Sequence, residues 1–300
     1  MMADSITIAH AGSLSAVLTR DLAPAFATAT GHAWTPIAGP AVGLANRIRM
    51  GEIAPDVYMS ADAEVNRILM EPATDALVRW FLVMAGARMV LAYSPKSRFA
   101  ADLDAAAAGR LSWTDVLQRP GFALWRSDPR TDPGGYRAIF VCQLAEAVYG
   151  QPGLAARLLG GEHNDAQIAH GMPTGLVTGG LDAMLIYGTI AKQLGLPYIQ
   201  LPEEIDLSNP NQAERYRTAR YTNPLGQTFC GTHAVYSITI LSNAPHPAAA
   251  EAFVATVFSE AGRTALAYHG FLPARVLVGG AAAAVPQALQ PLIQGAYPTD

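Results

Sequence analysis

Cysteine is nearly absent: Cys142 and Cys230 are the only two in 300 residues. Their wide separation excludes the close spacing of a zinc or redox motif. Cys142 lies in the apolar stretch Ile139-Phe140-Val141-Cys142-Gln143-Leu144, which suits a buried structural thiol. Nothing in the sequence supports a disulfide between the two. Charge is sparse as well. Charged residues make up 15% of the chain and hydrophobic ones 51%, a balance that excludes disorder and provides for one large domain or two lobes with their own cores. With 20 Lys and Arg against 24 Asp and Glu, the net charge is −4 and no basic cluster stands out, so nucleic acid is not an expected partner. An anionic ligand would have to be held by locally aimed dipoles, which helix N-termini supply, rather than by a positive field.

Long apolar runs are missing too: none approaches the roughly 20 residues that span a bilayer. The opening Met1-Met2-Ala3-Asp4 leads straight into a strand and is read as lacking a signal peptide, with a cytosolic protein and a trimmed mature chain both open. Phosphate fingerprints are absent, since Ala11-Gly12-Ser13 is not a G-x-G-x-x-G and no G-x-x-x-x-G-K-[ST] occurs, and nucleotide binding is disfavoured. There is no internal repeat, nucleophile elbow or metal-ligand cluster. His163 and His170 are too far apart for a local metal pair.

What is present is an alternation of short apolar runs with helix-period segments, the pattern of an α/β chain with mainly parallel strands. Strands are expected at residues 6–9, 57–59, 89–93, 122–125, 183–186, 198–201 and 234–241. Leu14, Val17, Leu18, Leu22 and Phe26 keep a period of about 3.6 in a first helix, and Tyr136, Phe140, Leu144 and Val148 share a face of a later one. Residues 202–225 read as a long connection, and Gly279-Gly280-Ala281-Ala282-Ala283-Ala284 as an exposed loop or terminal linker. Strand–loop–helix units gather helix N-termini at the carboxyl edge of a parallel sheet, where ligands bind.

Four segments sit at such positions. His10-Ala11-Gly12-Ser13-Leu14 follows the first strand, and Ser13 there either caps its own helix or turns with the first amides toward an anion. Ala38-Gly39-Pro40-Ala41-Val42 has Pro40 suited to a helix start, with small residues leaving the amides of Ala41 and Val42 accessible; a plain loop fits equally. Ser127 through Arg137 carries two Asp-Pro pairs, and Asp132-Pro133 is also an ordinary cap and first-turn pair. Tyr187 closes the strand Leu185-Ile186-Tyr187, where packing is a sufficient reason for it.

In order along the chain, Ala11-Gly12-Ser13-Leu14, Ser60-Ala61-Asp62, Arg126-Ser127-Asp128-Pro129, Asp132-Pro133-Gly134-Gly135-Tyr136-Arg137 and Pro202 through Pro210 resemble the molybdate/tungstate-binding proteins of ABC transporters, most nearly their archaeal-type tungstate-binding branch. The likeness runs from about Ile6 to about Pro273. It implies a type II periplasmic-binding-protein fold: two α/β lobes joined by two crossings, residues 1–87 with 232–300 forming one and residues 88–231 the other, with the anion closed between them. It also implies a periplasmic or extracellular, non-enzymatic, monomeric protein that hands a small inorganic oxyanion, molybdate or tungstate, to a membrane permease and carries no cofactor. By position the resemblance assigns ligand contacts to Gly12, Ser13, Ala41, Asp132, Gly134, Ala169, His170 and Tyr187. Ser13 and Tyr187 would donate from their hydroxyls and Gly134 from its amide.

Two departures qualify this. The family's Ser is replaced at Pro40-Ala41, which leaves only the Ala41 amide, and Ile168-Ala169-His170-Gly171-Met172-Pro173-Thr174 lacks the Glu that would complete six-coordination of the metal with Asp132. A protonated His170 at a helix start could offset anion charge there, though a surface or packing histidine is the plainer reading. An ionised Asp132 would repel a dianion, so it must be protonated, bound to the metal atom, or turned back onto its helix. Another oxyanion or a small organic acid on the same scaffold is the first alternative. An enzyme using Asp132 and His170 as acid and base is the second.

Overall fold

The protein is described by a computed structural model covering residues 4–160, 167–169 and 173–298. Its strands are β1 (Ser5–Ala11), β2 (Ala33–Gly39), β3 (Val57–Ser60), β4 (Trp80–Gly86), β5 (Met89–Tyr93), β6 (Leu124–Trp125), β7 (Ala183–Tyr187), β8 (Tyr198–Gln200), β9 (Arg220–Thr222), β10 (Thr228–Cys230), β11 (Val235–Ile240), β12 (Leu277–Gly280) and β13 (Gly295–Ala296). The chain divides into two compact units, one of Met1–Gly86 with Val235–Asp300 and one of Ala87–Ala234.

The first unit is built on a seven-stranded sheet in the order β13-β12-β4-β11-β3-β1-β2. β1 pairs in parallel with β2 and β3, whereas β11 runs antiparallel to both β3 and β4. The second unit has a four-stranded sheet, β6-β7-β5-β8, in which β5 is antiparallel to both β7 and β8, and a separate β9–β10 hairpin. The sheets are therefore mixed, which corrects the expectation of mainly parallel strands. The continuous apolar runs behind that expectation report burial on both faces and carry no information about direction. β11 brings the chain back into the first sheet from the end opposite to β1, and so runs against its neighbours.

Within each unit an apolar cluster fixes the sheet. Val90, Ala92, Leu176, Met184 and Ile186 form that of the second unit, and Ala63, Phe81, Val83 and Val235 one of those in the first. The first helix buries Leu14, Val17, Leu18, Leu22 and Phe26 as its period requires, but it is not one uniform helix. A 3-10 turn at Gly12–Leu14 and a π segment at Leu18–Leu22 precede the regular helix Ala23–Thr30. Pro24 lacks the N–H that would bond the Arg20 carbonyl, and the ladder widens at that point.

Two expectations about loops are also corrected. Gly279-Gly280 belongs to β12, because the Phe81 ring occupies the place of a Gly279 Cβ and Gly280 takes a φ of +78°. The connection after Pro202 contains a short helix, Ala213–Tyr216, and the hairpin strand β9. Cys142 is buried and both cysteines are free thiols.

Candidate functional site

In the first unit the parallel strands end at one edge, with Ala11 in register with Gly39 and His10 with Met59. Beyond that edge lie Gly12, Ser13 and Ala41. Ser13 is buried and its Oγ accepts a 2.9 Å hydrogen bond from the Tyr236 hydroxyl. Antiparallel pairing of β11, with Ser237 opposite Ser60, delivers Tyr236 to this same edge. Ala11, not Ser13, holds the N-cap position, so the capping role of Ser13 is not realised. Pro40 is likewise the cap residue, not the first helical one, of Ala41–Arg49, and no side chain caps that helix.

The first backbone bond of the Ala41–Arg49 helix runs from the Leu44 amide to the Pro40 carbonyl at 2.8 Å, so the amides of residues 41–43 precede its ladder. Ala41 and Val42 are nonetheless fully buried, which corrects the expectation of accessible amides. The Tyr58 hydroxyl bonds the Ala41 carbonyl at 2.7 Å and the Leu44 side chain packs against Gly39, closing the turn. Gly12 is partly exposed, and a Cβ there would meet nothing within 4 Å, so packing does not require the glycine. Ser60 and Asp62 bond each other and Asp62 caps the next short helix, a structural turn. Burial holds the pKa of His10 below the ordinary imidazole value.

In the second unit β6 and β7 are parallel, so the loop after Trp125 and the end of β7 at Tyr187 share an edge. The loop is stiffened by Arg130, whose Nε and Nη2 each donate at 2.8 Å to the Asp128 carboxylate, and by the Asp132 amide bonding the Asp128 carbonyl at 2.9 Å. Asp132 then caps the 17-residue helix Pro133–Tyr149: its Oδ1 accepts from the Gly134 amide at 2.9 Å and its carbonyl from Gly135 at 2.9 Å. Gly135 is demanded by space, because a Cβ would strike the backbone of Ser127, Asp128 and Pro129. At Gly134 a Cβ would make ordinary contacts of 3.5–3.6 Å with Asp132 Oδ1, Ser127 Oγ and the Tyr187 ring.

That last observation brings Asp132, Gly134 and Tyr187 together with Ser127. Tyr187 is buried and its hydroxyl oxygen accepts a 2.8 Å bond from Nη1 of the equally buried Arg137. Burial raises the pKa of Asp132 above the usual carboxylate value, opposed by the Gly134 amide, the Ser127 hydroxyl and the Arg137 charge. His233 is pushed down to about 4 by burial and by Arg137, so it is neutral at pH 7. Ala169 packs against the second unit's core, and its amide bonds the Arg126 carbonyl at 2.8 Å, so that amide is committed within the fold. His170 and His163 lie outside the described residues.

The sequence profile of the bacterial extracellular solute-binding protein family matches residues 6–272. The chain belongs to this family. A solute-binding protein of Methanoculleus marisnigri with no assigned solute is 32% identical over 96% of this chain and 86% of its own. The molybdate/tungstate-binding protein of Thermococcus kodakarensis is 28% identical over 80% of this chain and 72% of its own. In structure the chain is similar to the periplasmic molybdate-binding protein of Azotobacter vinelandii, with a TM-score of 0.63 at 17% identity over 90% of this chain and 99% of that one. The fold is thus the type II periplasmic-binding-protein fold.

In this solute-binding protein the features that sequence reasoning missed are Tyr236 in the first unit and Ser127 and Arg137 in the second. Ser127 and Arg137 both lay inside a segment already singled out. Arg137 had a signal of its own, a lone charge in the apolar run Tyr136 through Cys142. Arg126 and Arg137 are both buried, so the second unit holds fixed cationic charge as well as dipoles. Among the described residues no group of three or more His, Cys, Asp or Glu forms a metal-binding cluster, and no helix is long and apolar enough to cross a membrane.

Proposed function

We propose that this solute-binding protein captures a doubly charged tetrahedral oxyanion, molybdate or tungstate, outside the cytoplasm and delivers it to an ABC importer without chemical conversion. The observation that carries the reading is that each unit offers a buried hydroxyl whose oxygen already accepts a bond: Ser13 from Tyr236, and Tyr187 from Arg137. A hydroxyl bonded in this way turns its single proton elsewhere and serves as a donor. Desolvating a dianion requires such fixed donors. The names of the relatives narrow the choice of anion.

Asp132 bears on the coordination. Its Oδ1 holds the Gly134 amide, the capping option among those open to it, which supports a four-oxygen anion with Asp132 only as a neighbour. X-ray absorption on the molybdate-loaded protein is expected to show four oxygens; six would assign Asp132 to the metal. The same scaffold holding sulfate is the competing reading, because a donor set of hydroxyls and amides does not require a metal atom. Thermal melts in molybdate, tungstate and sulfate separate these. Stabilisation by the first two that survives moderate salt is expected, and no shift with any of the three would sink the proposal.

A further inference from the structure

We infer that Arg137 is a positioning residue for the ligand: it fixes the Tyr187 phenol as a one-way donor, and so acts on the anion through Tyr187. This rests on the oxyanion reading of the site. A guanidinium has no acceptor, so in the 2.8 Å bond from Arg137 Nη1 the phenol oxygen must accept. The phenol proton is thereby directed away from the guanidinium, and a hydroxyl that accepts from a cation becomes a stronger donor.

Geometry favours a lasting pair. Both side chains are at most 2% exposed, and the guanidinium carbon sits over the Tyr187 ring, 5.6 Å from its centroid. Arg137 is carried by the first turns of the Pro133–Tyr149 helix, whose start is anchored by the Asp132 cap and by the close approach of Gly135 to the Ser127–Pro129 backbone. Tyr187 ends β7, where Met89 of β5 pairs with it and the neighbouring Gly188 amide bonds the Arg88 carbonyl at 2.9 Å. Donor and acceptor are thus mounted on two different rigid elements. The nearby His233 is neutral at pH 7 and adds no competing cation.

A rival role for Arg137 is counter-charge to Asp132, whose pKa its charge lowers. The two roles differ in whether the effect passes through Tyr187, and a double-mutant cycle reads that difference. Molybdate affinity is measured by calorimetry for the wild type, Arg137→Gln, Tyr187→Phe and the double variant, with melting curves to confirm folding. Arg137→Gln is expected to weaken binding about tenfold alone but less than about twofold in the Tyr187→Phe background. An equal loss in both backgrounds would overturn the inference while leaving the oxyanion reading intact. A wild type that binds no oxyanion would remove both.

Should Arg137→Gln fail to fold, Arg137→Met keeps an unbranched apolar side chain at that position and removes every donor. In the ligand-free protein the Tyr187 carbon resonance next to the hydroxyl should then move relative to the wild type. An unchanged resonance would show that the bond does not form in solution, and would equally overturn the inference.

Discussion

The two units prepare their helix starts in opposite ways. The Ala41–Arg49 helix of the first has no side-chain cap, and the amides of its first turn precede the backbone ladder. The Pro133–Tyr149 helix of the second is closed by its own carboxylate, Asp132, on the Gly134 amide. Yet both units place a buried hydroxyl beside the helix start and supply its oxygen with a donor from another element. The uncapped start relies on backbone amides that nothing but burial protects. In the capped start amide capacity is exchanged for a rigid frame, and the donor proposed there is the adjacent phenol, whose oxygen accepts from the guanidinium. A helix N-terminus alone therefore does not define an anion site; what occupies its first amides decides what else must be present.

Adjacent glycines give the sharpest way to break this comparison. Gly135→Ala drives a methyl into the Ser127–Pro129 backbone and is expected to destabilise the second unit by about 3 kcal/mol, read by denaturant melts. Gly134→Ala meets only ordinary contacts, so it should fold like the wild type, with a helix-propensity gain of up to about 1 kcal/mol. Its methyl faces Tyr187 and Ser127, and oxyanion binding should nevertheless fall. Equal melting temperatures for the two variants would contradict the framing role of this turn.

Next in size are the hydroxyls. Ser13→Ala in the first unit and Tyr187→Phe in the second should each weaken oxyanion binding by roughly 1–3 kcal/mol, measured by calorimetry. An effect confined to one unit would mean that only one of the two donor sets is used.

Acidification probes the buried imidazoles. His233 has its pKa lowered to about 4 by burial and by Arg137, so its contribution is fully present above the unfolded value near 6.5 and is lost as pH falls toward 4. Allowing for its partial exposure, this amounts to about 2 kcal/mol, and His233→Gln should flatten that part of the stability–pH curve. His10 shifts in the same direction and should act with the same sign.

The smallest effect is expected at the cap. Burial raises the folded pKa of Asp132, so its stability contribution is greatest at low pH and is lost as pH rises through the folded value. Asp132→Asn keeps a capping oxygen without the charge and should match or exceed the wild type at pH 7. Asp132→Ala loses the cap and should cost about 1 kcal/mol by thermal melt. If Asn were as damaging as Ala, the carboxylate charge itself would be required.

Much of the fold was legible in short apolar runs, since β1, β3, β5, β7, β8 and β11 each fall on one. Trp80 through Gly86 was missed because seven buried residues without alternation carry no period that separates strand from helix. β12 was missed because its glycines read as a loop until Phe81 is seen lying over one of them. Of the residues singled out in the sequence, Asp132, Gly134 and Tyr187 are brought together at the candidate site. The groups that orient them were not, because Tyr236 on Ser13 and Arg137 on Tyr187 are meetings across 223 and 50 residues that no local spacing encodes.

The central claim is that buried hydroxyls set as donors hold an oxyanion, and it is tested most directly by titrating the protein with molybdate in parallel with Ser13→Ala and Tyr187→Phe, with molybdenum counted by elemental analysis. One ion per chain is expected in the wild type, with affinity lowered in both variants. Each substitution also takes an acceptor from a buried donor, Tyr236 or Arg137, so a lower melting temperature is expected, and ligand-free melts confirm that both variants are folded at the titration temperature. Wild-type binding that neither substitution weakens, or no bound molybdenum at all, would contradict it.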